Sequence, residues 1–194
     1  MKFENLKSQS NTEINDVFII KPNCFEDDRG FFFESWNQKK FDSIVGEEIT
    51  FCQDNHSRSA YGVLRGLHYQ LDPHPQGKLV RCTSGIIYDV AVDIRKDSPT
   101  FGKWGGIVLS SANKLQLWIP RGFAHGFLTI SDFAEVQYKT NGYWNRDCER
   151  SLRWNDKSLE INWLDHLNTK EPLLSQKDSV SQTFLEAQRK GDIF

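Results

Sequence analysis

The sequence lacks the long apolar segments that membrane and secreted proteins need. None of its hydrophobic runs approaches the roughly 20 residues that cross a bilayer, and the opening stretch MKFENLKSQSNTEI has no apolar core of the kind found in signal peptides. The four cysteines have no C-x-x-C spacing, which disfavours a disulfide framework or a zinc site and favours reduced thiols. We therefore expect a soluble, cytoplasmic protein with no membrane partner.

The chain also has little excess charge. It contains 24 Lys and Arg against 26 Asp and Glu, a formal net charge of -2, so no nucleic-acid partner is expected. It has no glycine-rich phosphate loop, which excludes P-loop and dinucleotide-binding folds. Because no segment resembles a linker, we predict a single domain over residues 1–194, with a core from about 14 to 180 and a helical tail from about 178 to 194.

What the sequence has in abundance is short segments rich in Val, Ile, Phe, Tyr and Trp. They recur from residue 17 onward and are separated by turn residues. In IIYDVAVDI, the alternate residues from Ile86 to Ile94 form one apolar row, and Asp89 lies on the reverse. This spacing predicts a mainly β protein, an antiparallel sandwich or barrel. Helices are predicted only at NQKKFDSIVG and VSQTFLEAQRK, as short peripheral elements.

The segment GVLRGLHYQ places an arginine and a histidine in an apolar run punctuated by glycine. On an ideal strand Arg65 shares a face with Leu67, while His68 and Gln70 lie on the opposite face. Gly66 suits a bend in such a strand. A histidine in this setting is more often a hydrogen-bonded core residue than a catalyst, so the segment alone does not establish a site.

The segment LWIPRGFAHGF contains the P-x-G-x-x-H motif of cupin barrels, and His125 is the histidine of this motif. A metal-binding cupin would also need an H-x-H pair on an earlier strand. The corresponding run here is H-Y-Q, from His68 to Gln70, so the second histidine is missing. We therefore predict a cupin, or jelly-roll, barrel without a metal. His125 has a structural alternative, a buried imidazole held by Asp89.

Without a metal, acid–base chemistry would fall to polar side chains that point into the barrel. The candidates are His68 as a base, Tyr138 as an acid, Lys78 as a cation and Asp178 as an orienting carboxylate. Each has a structural alternative, since Tyr138 suits a core aromatic, Lys78 a strand-edge charge and Asp178 a helix N-cap. Spacing alone does not decide between these readings.

Dispersed cations and aromatic residues suit a nucleotide-linked substrate. Arg29, Arg65 and Lys177 could bind phosphates, and Tyr143 and Trp144 could stack on a base. The alternative is a set of surface ion pairs, because Arg29 follows two aspartates.

Seven segments occur in the order found in a known family: DDRGFFFESWNQ, QDNHSRSAYGVLRGLHYQ, QGKLVR, DVAVDIRKDSPTFGKW, LWIPRGFAHGF, QYKTNGYW and LSQKD. Over about residues 14 to 180 the sequence resembles the dTDP-4-dehydrorhamnose 3,5-epimerases, which are cupin-type sugar-nucleotide epimerases. The resemblance implies an isomerase that needs no cofactor. Its reaction would convert dTDP-4-dehydro-6-deoxy-D-glucose to dTDP-4-dehydro-L-rhamnose, on the route to dTDP-L-rhamnose.

The resemblance also implies roles for individual residues. His68 would remove a proton beside the 4-keto group, Asp178 would hold its imidazole, Lys78 would stabilise the enolate, and Tyr138 would return a proton from the opposite face. Asp89 and His125 match the family's second buried pair. The implied substrate contacts are Arg29, Glu34, Gln53, Asp54, Asn55, Arg65, Lys78, His125, Trp144, Glu149 and Lys177.

Three expectations follow from the same resemblance. The family is homodimeric, with the Arg29 segment reaching the partner's substrate. Arg65 would have to be redirected by the Gly66 kink to reach the side of His68. Trp144 stands where a tyrosine is expected to stack on thymine, so the choice of nucleotide is less defined than the reaction.

Two alternative functions stay open at this point. Relatives with nearly the same residues epimerise only carbon 3 or only carbon 5. A non-catalytic sugar-nucleotide-binding cupin is the other alternative, although such a protein would not need the four candidate catalytic residues together.

Overall fold

Thirteen strands dominate the computed structural model, which describes residues 1–194. The strands are β1 (Lys2–Lys7), β2 (Glu13–Lys21), β3 (Cys24–Asp27), β4 (Gly30–Phe33), β5 (Gln53–Ala60), β6 (Leu64–Gln70), β7 (Lys78–Ser84), β8 (Ile86–Asp93), β9 (Trp104–Ser110), β10 (Gln116–Ile119), β11 (Phe123–Thr129), β12 (Phe133–Thr140) and β13 (Glu149–Ser151). The helices are α1 (Gln38–Val45), α2 (Gln176–Ser179) and α3 (Phe184–Lys190), with a 3₁₀ turn at Trp163–His166.

The strands form two large sheets and a separate hairpin. The six-stranded sheet has the order β1-β2-β10-β7-β12-β5, and the five-stranded sheet has the order β13-β6-β11-β8-β9. Strands β3 and β4 pair only with each other. Within both sheets every neighbouring pair is antiparallel, and many neighbours are distant in sequence. With 44% strand and 12% helix, the predicted mainly β jelly roll is confirmed.

Two clusters of buried apolar side chains hold these layers together. The cluster between the sheets includes Val80, Ile87 and Phe127. The other lies on the outer face of the five-stranded sheet, where the row from Tyr88 to Ile94 packs against the C-terminal segment. The α3 helix contributes buried Phe184 and Ala187 to this second cluster. The predicted apolar row of β8 is therefore covered by the C-terminal segment except at Ile86, which is 39% exposed, and Asp89 faces the interior between the sheets.

The helices begin and end at residues that favour helix caps. The first predicted helical segment is α1, whose N-cap is Asn37 and whose C-cap is Gly46 at φ 84°. Its Phe41 packs on Trp118 at the outer face of the six-stranded sheet. For α2 the N-cap is Ser175, so the reading of Asp178 as an N-cap is wrong. No helix has both the length and the apolar character needed to cross a bilayer.

Candidate active site

A β-bulge in β6 decides which side chains of GVLRGLHYQ face the interior. His68 pairs with His125 of β11 and Arg65 pairs with Phe127. An interval of three residues in β6 therefore lies opposite an interval of two residues in β11. One extra residue in a strand shifts the alternation of everything beyond it. Leu67 consequently joins the outer apolar cluster, whereas the Arg65 side chain reaches across to β5 and donates from Nε to Ser59 Oγ at 3.0 Å.

Gly66 is the residue that permits this bulge. Its φ is +130°, and a Cβ at this position would lie 2.5 Å from Gly126 Cα and 2.8 Å from the His125 carbonyl oxygen. Only glycine tolerates both the backbone angle and the close approach of β11. The predicted redirection of Arg65 at this kink is confirmed, and the expectation from ideal alternation that Arg65 and Leu67 share a face is wrong.

His68 and Asp178 form a short contact across 110 residues of sequence. The distance from His68 Nε2 to Asp178 Oδ1 is 2.6 Å, and the second carboxylate oxygen accepts from the Ser175 hydroxyl at 2.7 Å. Burial alone would raise the pKa of Asp178, but the hydrogen bonds with His68 and Ser175 hold it below the ordinary value. An ionised carboxylate only accepts, so His68 donates from Nε2 and keeps the lone pair on Nδ1 free.

Lys78 supplies a buried cation beside this pair. It is at the first position of β7, and its Nζ lies 3.4 Å from the His68 carbonyl oxygen. Burial lowers the pKa of Lys78 to about 8, against the opposing effects of Asp89 and Glu149. The ammonium is therefore mainly charged at neutral pH, with few contacts that would compete for it.

Asp89 and His125 make the predicted second contact. The distance from His125 Nε2 to Asp89 Oδ1 is 2.6 Å, and both side chains are buried on neighbouring strands β8 and β11. Burial lowers the pKa of His125 although Asp89 opposes that shift, so the ring is neutral at pH 7. Oδ2 of Asp89 has no hydrogen-bond partner.

Tyr138 occupies the inner face of β12. It packs against the cluster between the sheets, and its cross-strand partner in β5 is Asn55, which accepts a hydrogen bond from Gln53 at 3.0 Å. Burial raises the pKa of Tyr138 above its ordinary value of 10.0, although Arg65 acts to lower it. At pH 7 the phenol is therefore a neutral proton donor.

Asp54, predicted among the substrate contacts, lies on the opposite face of β5 from Asn55. Its carboxylate accepts from Lys139 Nζ at 3.0 Å, and Lys139 lies over the ring of Trp36 outside the six-stranded sheet. Successive strand residues point to opposite faces, so Gln53 and Asn55 share the side of Tyr138 and Asp54 does not. The structure does not bring Asp54 to the group around His68.

The remaining predicted residues divide into two groups. Glu149 of β13 and Lys177 of α2 form an ion pair at 2.6 Å close to Lys78, and the Trp144 backbone donates to Gln53 Oε1 at 3.1 Å. Arg29 and Glu34 belong to the β3–β4 hairpin and its end. The Arg29 side chain is 89% exposed and contacts only Asp27, and Glu34 pairs with Lys40. Neither reaches the His68 group of its own chain.

Sequence reasoning missed one residue of this group, Ser175. Its hydroxyl accepts from the Asp178 backbone N–H and donates to the Asp178 carboxylate. The available signal was the S-x-x-D spacing of an N-cap in LSQKD. Nowhere do three His, Cys, Asp or Glu side chains converge in a way that could hold a metal ion.

Comparison with known proteins identifies the family of the chain. Residues 11–186 match the family model of dTDP-4-dehydrorhamnose 3,5-epimerase. The chain is 58% identical over 176 residues to the dTDP-4-dehydrorhamnose 3,5-epimerase of Shigella flexneri, covering 91% of this chain and 95% of that protein.

Solved structures are also similar to this chain. A dTDP-6-deoxy-D-glucose-3,5-epimerase from Legionella pneumophila, in complex with dTDP-4-keto-L-rhamnose, superposes with a TM-score of 0.85 at 43% identity, covering 95% of this chain and 94% of that one. A 3'-monoepimerase from Streptomyces bikiniensis, in complex with dTDP-quinovose, also gives 0.85, at 30% identity and 92% and 88% coverage. The chain therefore belongs to the dTDP-4-dehydrorhamnose 3,5-epimerase family.

Proposed function

We propose that this protein is a dTDP-4-dehydrorhamnose 3,5-epimerase. It inverts carbons 3 and 5 of dTDP-4-dehydro-6-deoxy-D-glucose and yields dTDP-4-dehydro-L-rhamnose, an intermediate of dTDP-L-rhamnose biosynthesis. The observation that supports this most is that the His68–Asp178 pair, Lys78 and Tyr138 all face the interior between the two sheets, with Lys78 and Tyr138 on neighbouring strands, in a chain that belongs to this family.

The proposed mechanism uses the acidity of hydrogens beside a ketone. The 4-keto group acidifies the hydrogens on carbons 3 and 5, and the free ring nitrogen of His68 takes one of these protons. Asp178 stabilises the imidazolium that forms, and the Lys78 ammonium stabilises the enolate oxygen. Tyr138 then donates its phenolic proton to the opposite face of the same carbon, which inverts the centre. Proton exchange with water returns His68 and Tyr138 to their starting states before the second carbon reacts. Protons are exchanged and no hydride moves, so we propose that neither a cofactor nor a metal is needed.

Substrate binding is assigned to groups around this centre. Arg65 and Lys177 suit the diphosphate, because a guanidinium and an ammonium pair with phosphate oxygens. The amides of Gln53 and Asn55 share the Tyr138 side of the site and suit polar recognition. The remaining proposed contacts are His125, Trp144 and Glu149 from this chain, and Arg29 and Glu34 from a partner chain.

The proposed assembly is a homodimer. The β3–β4 hairpin belongs to neither large sheet, and its exposed aromatic residues are Phe25, Phe31 and Phe32. Exposed apolar clusters of this kind mark interaction surfaces. Arg29, at the turn of this hairpin, contacts only Asp27 within its own chain, and the family resemblance directs it to the partner's substrate. We assign the protein to the cytoplasm, where its four unpaired cysteines would stay reduced.

The direct test is incubation of the purified protein, without cofactor, with dTDP-4-dehydro-6-deoxy-D-glucose in deuterated water. Mass spectrometry and NMR should show deuterium at carbons 3 and 5, and a rhamnose-forming reductase should accept the product. Deuterium at one carbon alone would identify a mono-epimerase, an alternative kept open by the likeness to the Streptomyces bikiniensis enzyme. Tight binding of the sugar nucleotide without deuterium uptake would instead identify a binding protein.

A further inference from the structure

Gln70 is a buried polar residue of β6 to which the mechanism gives no role. It stands where a metal-binding cupin would place the second histidine of its H-x-H pair. Its side chain follows His68 on the inner row of the strand, and the residue is only 3% exposed. A buried amide at this depth requires hydrogen-bond partners, and those partners indicate what it does.

All of the Gln70 amide is engaged by backbone groups of two loops. Nε2 donates to the His74 carbonyl at 2.6 Å and to the Tyr143 carbonyl at 3.2 Å, and Oε1 accepts from the Asn145 N–H at 2.8 Å. Two carbonyls on one end and an N–H on the other define the orientation of the amide. Both donors are used, so Gln70 has no N–H left to offer a substrate.

The loop that Gln70 holds carries the two aromatic residues at the nucleotide end of the proposed site. Residues 141–148 belong to no strand, so sheet pairing does not hold them in place. Gln53 accepts from the Trp144 N–H, so the side chains of Gln53 in β5 and Gln70 in β6 together bind backbone groups of three consecutive residues, 143–145. The rings they position are open to ligand, since Tyr143 is 68% exposed and Trp144 is 56% exposed.

We propose that Gln70 is a positioning residue that holds Tyr143 and Trp144 in place for the nucleotide of the substrate. It thereby sets the affinity for the dTDP portion and leaves the rate of proton transfer unchanged. The inference rests on the proposed function of the site, because it takes the ligand to be a nucleotide. The physical reason is preorganisation: an aromatic platform already ordered in the free protein loses less conformational entropy when a base stacks on it.

The test is Gln70→Met, which keeps the length of the side chain and removes all three hydrogen bonds. We expect KM for the sugar nucleotide and Kd for dTDP alone to rise together by about tenfold, with kcat within about twofold of the parent protein. The matched control is Gln182→Met. It removes an amide that binds Asp192 and Lys190 in the C-terminal segment and makes no direct hydrogen bond to the loop, and it should change neither constant.

Two results would overturn the proposal. An unchanged Kd for dTDP in Gln70→Met would show that the platform does not depend on Gln70. A fall in kcat at constant KM would place its effect on His68 instead. Because dTDP binding requires no turnover, a parent protein that binds dTDP but fails to epimerise would refute the proposed function and still leave the Gln70 comparison decisive.

Hydrogen exchange on the unmodified protein covers the case in which Gln70→Met does not fold. The Asn145 N–H, bound by buried Gln70, should exchange at least about tenfold more slowly than the Arg146 N–H, which has no partner. Addition of dTDP should slow exchange at Trp144 and Asn145 further. Equal rates at Asn145 and Arg146, or no response to dTDP, would refute the positioning role.

Discussion

At the scale of single residues, the site works through charge states set by burial and by specific partners. Asp178 is kept ionised by hydrogen bonds that outweigh the cost of its burial, and this fixes which nitrogen of His68 is free. Tyr138 is kept protonated, and Lys78 stays mainly charged at pH 7 although burial lowers its pKa to about 8. One base, one acid and one cation with these protonation states are what the two proton transfers require.

The lowered pKa of Lys78 predicts a pH dependence of turnover. Lys78 is charged below about 8 in the folded protein, so stabilisation of the enolate is present at neutral pH and is lost as the pH rises through about 8. We expect kcat to fall above this value, well before Tyr138 ionises. Lys78→Ala should lower kcat by about 10² or more with a smaller change in KM, because the contact is strongest in the transition state.

Steady-state kinetics of both proteins from pH 6 to 10 would check this prediction. The residual activity of Lys78→Ala should lack the fall near pH 8. An unchanged kcat in the variant would remove Lys78 from the mechanism, and a fall that persists in the variant would assign the titration to another group.

At the scale of elements, the bulge in β6 places on one face two side chains that a regular strand would place on opposite faces. Regular alternation would put Arg65 on the outer face, where the C-terminal segment packs. The extra residue at Gly66 places Arg65 and His68 on one face and leaves Leu67 for the apolar cluster. A phosphate-binding cation and a base thereby come from one short strand.

Substitution of two glycines in this segment tests the requirement for the bulge. Gly66→Ala should lower the free energy of unfolding by about 3 kcal/mol or more, since its Cβ would collide with the β11 backbone in addition to the cost of positive φ. Gly62→Ala is the matched control, because its φ is +77° with no atom within 4 Å of the Cβ. It should cost only about 1–2 kcal/mol.

Denaturant unfolding of the two variants, with kinetics on whichever remains folded, distinguishes these costs. Equal losses of stability would mean that the close approach of β11 is unimportant and that backbone angle alone selects glycine at both positions.

At the scale of the whole molecule, one chain holds the chemical groups, and the two predicted contacts at its β3–β4 hairpin lie away from them. Arg29 and Glu34 lie at the hairpin, away from His68, and each pairs with a neighbour in its own segment. A homodimer in which each hairpin serves the other subunit would supply them. The exposed phenylalanines of the hairpin would then be buried at the interface.

Mixing two inactive variants tests this arrangement. His68→Ala lacks the base, and Arg29→Ala lacks the donated cation. If Arg29 acts across the interface, a dimer with one chain of each kind contains one complete site, so unfolding and refolding the mixture should restore up to about a quarter of parental turnover. No recovery, in mixtures shown by mass to contain mixed dimers, would place Arg29 in its own subunit or outside the site.

The sequence by itself determined the class of fold and the main candidates for chemistry. Alternating apolar residues indicated antiparallel strands, Asn37 and Gly46 bounded α1, and the resemblance of seven ordered motifs to a known family singled out His68 and Asp178. The strand pattern and the helix boundaries are properties of local spacing and residue type, so they can be recognised without knowledge of the packing.

Only the tertiary structure decided which of these residues meet. The direction of Arg65 depends on the register of β6 against β11, and the outward direction of Asp54 depends on where β5 begins its alternation. The contacts of Ser175 and Gln70 likewise join segments that the sequence leaves separate. A hydrogen bond between side chains 110 residues apart exists only once both sheets have packed, so no local pattern could specify its geometry.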